Sequence, residues 1–512
     1  MDSKKQIKWG AILSYISIAL NIVAGLIYTP WMVNQIGQSH YGLYTLANSL
    51  ITLFIVDFGL GSATTRYISK YRAEGNEQKV NEFLGAIYKL YLIIDAIIFC
   101  IFLVLFFFLD KIYVNLTPQE LEEFRIVYLI AAVFAILHFP FIPQNGILTA
   151  YEKFVAQKIV DIIYRILIVG LTVLFLLLDF GLYALVSVNA VVGLIVIIIK
   201  LIILKTTVPA KADFKTVDTT IYKEIFKFSI WVTVSLFAQR LVFNITPSIL
   251  GITANSIAIA IFGVIITIEG YSYTITTAIN GMFMPKISRI YANSNQENQA
   301  EENIQPLFLN VGRFQYALNG LIVVGFALVG KQFISLWMGP GYHEAYWGIL
   351  LVIVPGLFYN SLQIANTTMV VQNKVKLQAF INVLTGITNV ILSFILSSFI
   401  GVIGACISIF TAYSLRAIIM NIISGKVLKF DMGSFIINCY LRMSVPIILT
   451  FILAGLINYF IPNTGWLSLI VQAVIVVVIY LLFICIFALK KEERNSIFSK
   501  ITKKLSKKEI AK

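Results

Sequence analysis

The sequence predicts an all-α polytopic membrane protein of about fourteen transmembrane helices, two pseudo-symmetric six-helix lobes plus two appended helices. Three observations carry this. Of the 512 residues, 59% are hydrophobic and 12% charged, which leaves little for a soluble domain. Apolar stretches of about 20 residues, the length that crosses a ~30 Å hydrocarbon core, follow one another almost end to end. Lysine and arginine fall in alternate loops, and one stretch of polar sequence is echoed later in the same order.

The spans run over 9–32, 41–65, 85–109, 125–149, 159–178, 181–204, 228–250, 255–282, 309–330, 345–370, 378–398, 401–423, 442–461 and 465–489. The first lacks a short apolar core followed by a small-residue cleavage site, so it reads as a retained helix. Lys4, Lys5 and Lys8 precede it. With that end in the cytoplasm, the inner loops hold Arg72 and Lys79, Lys153 and Lys158, then Lys205, Lys211, Lys215 and Lys223. Further on they hold Lys286 and Arg289, Lys374 and Lys376, and Lys426 and Lys429, whereas the outer loops hold only Lys111 and Lys331. This asymmetry follows the positive-inside rule and places both termini in the cytoplasm. The net charge of +14 is then topology and attraction to anionic headgroups, not a nucleic-acid footprint.

Tyr28-Thr29-Pro30 near the end of one span is echoed by Ile245-Thr246-Pro247, and Tyr67-Ile68-Ser69-Lys70-Tyr71 by Lys286-Ile287-Ser288-Arg289-Ile290. Pro247 follows Pro30 by 217 residues and Ile287 follows Ile68 by 219. Six spans between the copies keep their orientation, which implies parallel repeats about an axis normal to the membrane. The lobes are then 1–226 and 227–441, divided within the polar segment 206–227, with spans 442–489 appended. The tail 490–512 carries nine Lys or Arg against three acids. Its Ile497, Phe498, Ile501 and Leu505 at helical spacing suggest a helix on the inner leaflet, the alternative being a disordered solvated tail.

Several chemistries have no support. Cys100, Cys406 and Cys485 lie in apolar spans and Cys439 borders one, so no disulfide framework is implied. The three histidines, His40, His138 and His343, are far apart, and no metal-ligand motif or phosphate-binding Gly-Lys-Ser/Thr loop occurs. No cofactor is expected.

At Asp57-Phe58-Gly59-Leu60-Gly61-Ser62-Ala63-Thr64-Thr65-Arg66-Tyr67-Ile68-Ser69 the chain resembles the polysaccharide-repeat flippase family (Wzx-type) of the multidrug/oligosaccharidyl-lipid/polysaccharide exporter superfamily. Tyr41-Gly42-Leu43-Tyr44 and Met284-Pro285-Lys286-Ile287-Ser288 share the likeness, which covers essentially the whole chain. The resemblance implies two lobes that open alternately to each face of a bacterial inner membrane. It implies as substrate an undecaprenyl-pyrophosphate-linked oligosaccharide, with the polymerase and glycosyltransferases of the same pathway as partners. Read from the residues alone, Gly59, Gly61, Ser62 and Ala63 make a surface without bulk where a neighbouring helix can approach.

Charges inside spans are functional candidates because each costs several kcal/mol. Arg240 lies about 18 Å deep, some twelve residues into its span. It either pairs with Glu269, about 8 Å away in height, or lines a cavity and holds the pyrophosphate with its planar fork of donors. Asp95 has no cation at i±3 or i±4 and, with Glu269 and Asp57, is a candidate for ion coupling. Asp161 and Arg165, four apart, read as a structural pair. Arg66, Arg289, Arg313 and Arg416 near inner span ends are singly snorkelling anchors and together a basic vestibule for a diphosphate headgroup. Pro140 and Pro143 interrupt span four, where Gln144 and Asn145 either contact sugar or hydrogen-bond a neighbouring helix.

Other classes compete. A multidrug cation exporter on the same fold would give Asp95 more weight than the arginines. A lipid II flippase is a close relative, but that family's arginine in the first span is missing, since residues 9–32 contain no Arg. A membrane-embedded polysaccharide polymerase or ligase needs a large external loop, and the longest here, 110–124 and 331–344, are about fifteen residues.

Overall fold

The computed structural model describes residues 3–215, 219–278, 280, 283–293, 297–462 and 465–489. The basic tail 490–512 lies outside them. Among the described residues there are helices and no strands. The chain opens with α1 (Ser3–Ile36), α2 (Gln38–Phe54), α3 (Leu60–Ala73), α4 (Glu77–Ile112), α5 (Pro118–His138) and α6 (Pro143–Ala150). Next come α7 (Phe154–Leu177), α8 (Gly181–Thr207), α9 (Thr219–Phe243), α10 (Thr246–Thr253) and α11 (Ser256–Thr277). Then follow α12 (Phe283–Asn293), α13 (Glu297–Trp337), α14 (His343–Ile353), α15 (Gly356–Asn360) and α16 (Gln363–Val371). The remainder is α17 (Val375–Lys426), α18 (Met432–Phe435), α19 (Arg442–Tyr459) and α20 (Trp466–Phe483).

Ten of the described helices are long and apolar enough to cross a membrane, and twelve if two bent pairs each count as one span. The chain is a multi-pass membrane protein, but fourteen spans are not reached by this measure. Two places account for much of the difference. The second span stops after 17 residues, as α2, because the chain leaves helical geometry at Ile55–Gly59. Phe58 and Gly59 take left-handed φ values of 53° and 67°, and Asp57 then accepts from the Gly61 amide at 3.1 Å, starting α3 afresh. The other place is α17. Straight, its 52 residues would extend ~78 Å, more than twice the hydrocarbon thickness. It breaks at Ile400 and Gly401, and a Cβ on Gly404 would meet the Leu396 carbonyl at 2.2 Å, so its two arms fold back on each other.

The chain packs as two compact units. One comprises Met1–Thr267 with Lys374–Ala412, the other Ile268–Asn373 with Tyr413–Lys512. These follow packing, whereas the lobes 1–226 and 227–441 expected from the sequence follow the order of its repeat. In the first unit α3 and α6 meet where glycine permits it: a Cβ on Gly146 would lie 2.9 Å from the Gly61 carbonyl. Thr65 Oγ1 donates to both Gly61 O and Gly146 O, at 3.1 and 3.2 Å. The bulkless surface expected around Gly61 is therefore a helix contact. Pro140 and Pro143 end α5 in a 3₁₀ turn, Phe139–Phe141, before α6 resumes. Within segment 206–227 the chain around Lys211 and Asp213 lies on the start of α4, where their amides donate to Asn81 Oδ1 and O at 2.8 and 2.9 Å.

In the second unit α13 packs against both α19 and α20. Arg313 Nη2 donates to Ala488 O at 2.8 Å, and Arg442 donates to Phe487 O and Leu489 O at 3.1 and 3.2 Å. Two cations thus satisfy the carbonyl end of the last span, where the helix dipole favours positive charge.

Candidate functional site: a polar cavity beside a broken span

Span seven does not cross as one helix. It stops at Phe243, turns through Asn244 and Ile245, and restarts as α10 with Pro247 in the first turn. Arg240 sits in the last turn of α9, and its carbonyl accepts from both the Asn244 and Ile245 amides, at 3.1 and 3.2 Å. The break frees the Leu241 and Val242 carbonyls, which need partners in a membrane. Asn389, fully buried on α17, donates its amide to both at 3.1 Å, and Thr246 Oγ1 donates to Val242 O at 2.6 Å. A Cβ on Gly386 would meet Ala238 O at 2.7 Å, so that arm of α17 lies hard against α9.

Beside the break is a cavity of about 210 Å³. One wall is a face of α2, where Tyr41, Tyr44, Thr45, Asn48, Ser49 and Thr52 recur at helical spacing. The other wall comprises Phe243, Asn244 and Pro247 with Gly263, Ile266 and Thr267 of α11. Six polar residues along one face of a membrane helix require water, a ligand or a polar neighbour opposite them. Arg240 reaches this wall through Asn244: Nη1 donates to Asn244 Oδ1 at 3.3 Å, and the Asn244 carbonyl accepts from Ser49 Oγ. The lining itself carries no charged side chain.

The other sequence candidates have varied surroundings. Asp57 Oδ1 accepts from Tyr91 OH at 2.5 Å as well as from Gly61, so its carboxylate is engaged at the start of α3. One turn beyond Tyr91, Asp95 is 8% exposed and its Oδ1 has no hydrogen-bond partner. Gln144 is 1% exposed with its Nε2 unpartnered, whereas Asn145 Oδ1 accepts from Lys200 Nζ of α8 at 2.9 Å. Asn145 thus joins two helices. Arg66 is exposed and lies over the Tyr67 ring at 5.9 Å; Arg289 is exposed and bonds Pro285 O of its own helix at 3.4 Å. Arg313 is buried and holds the end of the last span. In the second unit, Arg416 is 5% exposed and lies over the rings of Tyr359 and Tyr413, at 4.1 and 5.7 Å. Glu269 shares that neighbourhood: both charges act on Tyr273 and Tyr413.

One pairing expected from the sequence is different. Asp161 binds Lys158, three residues before it on the same helix, at 3.0 Å rather than Arg165, whose Nη2 instead donates to Asn21 O of α1 at 3.3 Å. Sequence reading also missed the polar face of α2 and the role of Asn389. The first was present as helical spacing of Tyr, Thr, Asn and Ser within an apolar run.

Similarity to known proteins agrees with this architecture. The chain matches the model of the polysaccharide biosynthesis protein family over residues 8–291. No match to a curated protein sequence is found. Among solved structures it resembles the lipid II flippase MurJ in an inward closed conformation, with TM-score 0.73 and 14% identity over 93% of this chain and 98% of that one. It also resembles an inward-facing multidrug resistance MATE family transporter of the MOP superfamily, with TM-score 0.67 and 12% identity over 82% of this chain and 98% of that one. A mutant of the Vibrio cholerae MATE transporter VcmN follows, at TM-score 0.59 and 12% identity over 84% of this chain and 99% of that one. At these identities the likeness is one of fold. With its fold shared by MurJ and MATE transporters, and with more than half its length matched by one family model, the chain belongs to the polysaccharide biosynthesis protein family.

Proposed function

We propose that this protein is a flippase. It moves a polyprenyl-pyrophosphate-linked oligosaccharide from the inner to the outer leaflet of a bacterial inner membrane, by alternating access of the lobes 1–226 and 227–441, with both termini cytoplasmic. It is a transporter and not a polymerase or ligase. The observation that carries the reading is Arg240: a guanidinium at a helix break inside the membrane, bonded to a neutral amide that lines a polar cavity. A cation held only by a neutral partner in a low-dielectric region favours an anion, and the guanidinium fork suits phosphate oxygens. Family membership supports a glycan-pathway substrate. The acids Asp95 and Glu269 are the proposed ion-coupling groups, and the glycosyltransferases and polymerase of the same pathway are the proposed partners.

The test is replacement in cells that depend on the exported polysaccharide. Arg240→Ala abolishes surface polysaccharide with membrane insertion unchanged, while Arg240→Lys, which keeps charge but loses the fork, retains part of it. Adding Glu269→Gln to Arg240→Ala leaves transport absent. Restored export in that double variant would show that Arg240 serves only to neutralise the carboxylate.

A further inference from the structure

His40 is a titratable group that the proposed cycle does not use, and both of its ring nitrogens are engaged. Nδ1 lies 2.7 Å from the Ile36 carbonyl, and Nε2 lies 2.9 Å from Glu123 Oε2. A carbonyl oxygen only accepts, so Nδ1 carries a hydrogen and donates it. That is the one hydrogen of a neutral imidazole, whose Nε2 would then turn a lone pair toward the carboxylate. The 2.9 Å contact therefore holds one further proton, whichever of the two side chains carries it. The ring is 40% exposed and the carboxyl 21%, so the proton exchanges with water.

The pair belongs to a junction of helix ends. Ile36 ends α1, Gly37 turns the chain at a φ of 84°, and His40 stands in the first turn of α2. A cation there also meets the carbonyl end of a 34-residue helix, where positive charge is favoured. The same turn of α2 is packed on the start of α11. A Cβ on Gly42 would lie 2.1 Å from Ser256 O, and the Ser39 and Ser256 hydroxyls are 3.1 Å apart. On α5, Glu120 precedes Glu123 by one turn and accepts from both serines. Among the described residues, other charges do not replace the His40 link. Glu123 Oε1 accepts from Gln119 at 3.2 Å, and Arg125 of α5 is paired with Asp110. Glu122 of α5 and Tyr183 of α8 are further titratable groups near Glu123, and neither is a cation. The facing ends of α1 and α11, residues 30–36 and 256–262, contain no titratable side chain.

We propose that His40 and Glu123 form a proton-coupling site at the outer end of the protein: proton uptake by the pair closes the starts of α2, α5 and α11 on one another, and proton loss frees them. This rests on the reading of the chain as an alternating-access flippase whose α1–α2 turn faces outward. The closed end binds one proton more than the open end, so a fall in outside pH favours closure. Loss of the proton sets the imidazole lone pair against the carboxylate, and the link between α5 and the α2 turn parts. Unlike Asp95 and Glu269, the pair is reached by water without entering the membrane.

The experiment uses the full chain in lipid nanodiscs, with Cys100, Cys406, Cys439 and Cys485 replaced by alanine and spin labels attached through Ile126→Cys and Ile257→Cys. These positions are 44% and 48% exposed, one on α5 just past Glu123 and one next to Ser256. The distance between labels is read by pulsed electron resonance at about pH 5 and about pH 8, the range over which histidine changes charge. The labelled protein with His40 intact shows one short distance at the lower pH and gains a longer population at the higher. Its open-to-closed ratio changes by up to about tenfold per pH unit, the limit for one proton. His40→Gln does not titrate and gives the same distribution at both pH values. His40→Lys, charged throughout, keeps the short distance at both. Where a His40 variant fails to fold, Glu123→Gln carries the test, because its amide donates to a neutral ring and the pH response is lost. A distribution that ignores pH with His40 intact overturns the inference, as does a full pH response in His40→Gln. Passage of a fluorescent polyprenyl-diphosphate oligosaccharide, followed with the same proteins in liposomes, separates the two readings. Passage without the pH response removes the coupling site and leaves the flippase standing; the pH response without passage removes the flippase and leaves a proton-operated latch.

Discussion

Arg240 illustrates how a charge is tolerated inside an apolar run. It occupies the last turn of α9, where the helix dipole favours a cation, and the break beyond it exposes carbonyls that Asn389 covers. Asn389→Leu keeps the volume and removes both donors. Val242 O keeps Thr246 Oγ1, but Leu241 O is left unsatisfied at a cost of ~1–3 kcal/mol, so the variant should melt earlier in detergent and lose transport although Asn389 does not line the cavity. Unchanged melting would show that the break needs no such support. Arg240 was legible in the sequence because an ionisable residue in an apolar stretch is conspicuous. Asn389 was not, because a lone amide in such a stretch gives no sign of which backbone it serves. The polar face of α2 lay between these cases: its spacing is regular, but each residue is of a kind that membrane helices also use for ordinary packing.

At the level of elements, sequence and structure agree where a residue type forces the outcome. Pro140 and Pro143 break span four because neither can donate to the helix ladder. Gly146 lets α3 and α6 come together because it carries no side chain where the Gly61 carbonyl approaches, whereas a Cβ on Gly61 would meet the Asp57 carboxylate. Gly146→Val places methyl groups against the Gly61 carbonyl and the Thr64 side chain. Overpacking of this kind costs ~1–3 kcal/mol, to be read as a lower melting temperature, and an unchanged melt would contradict the tight contact. The breaks that hydropathy failed to reveal have a different origin. Asp57 ends one helix and starts another through a side-chain hydrogen bond, and Ile400–Gly401 reverses the chain by backbone angles alone. Neither interrupts the apolar run, so both were hidden from a reading based on composition.

For the whole molecule, the repeat and the alternation of charged loops gave a polytopic transporter-like chain, and the family and fold agree with it. The proposed alternating access demands contacts between the proposed repeats that break in each cycle. A candidate set joins the start of α2 to the starts of α5 and α11: Glu120 accepts from Ser39 Oγ and Ser256 Oγ, and the two hydroxyls lie 3.1 Å apart. Ser39 and Glu120 belong to the first sequence repeat and Ser256 to the second. Replacing Ser39 and Ser256 with cysteine should therefore give a disulfide on oxidation that halts transport and a return of transport on reduction. Transport that continues with the disulfide formed would mean that this contact stays closed throughout the cycle. The central claim, that a diphosphate-linked glycolipid crosses the membrane through a cavity governed by Arg240, is tested most directly by reconstitution. Proteoliposomes are loaded with a fluorescent polyprenyl-diphosphate oligosaccharide, and its passage between leaflets is followed by quenching from outside. The account predicts rapid passage with the unaltered protein and the rate of empty liposomes with Arg240→Ala; equal rates for the two proteins, or no passage with either, would contradict it.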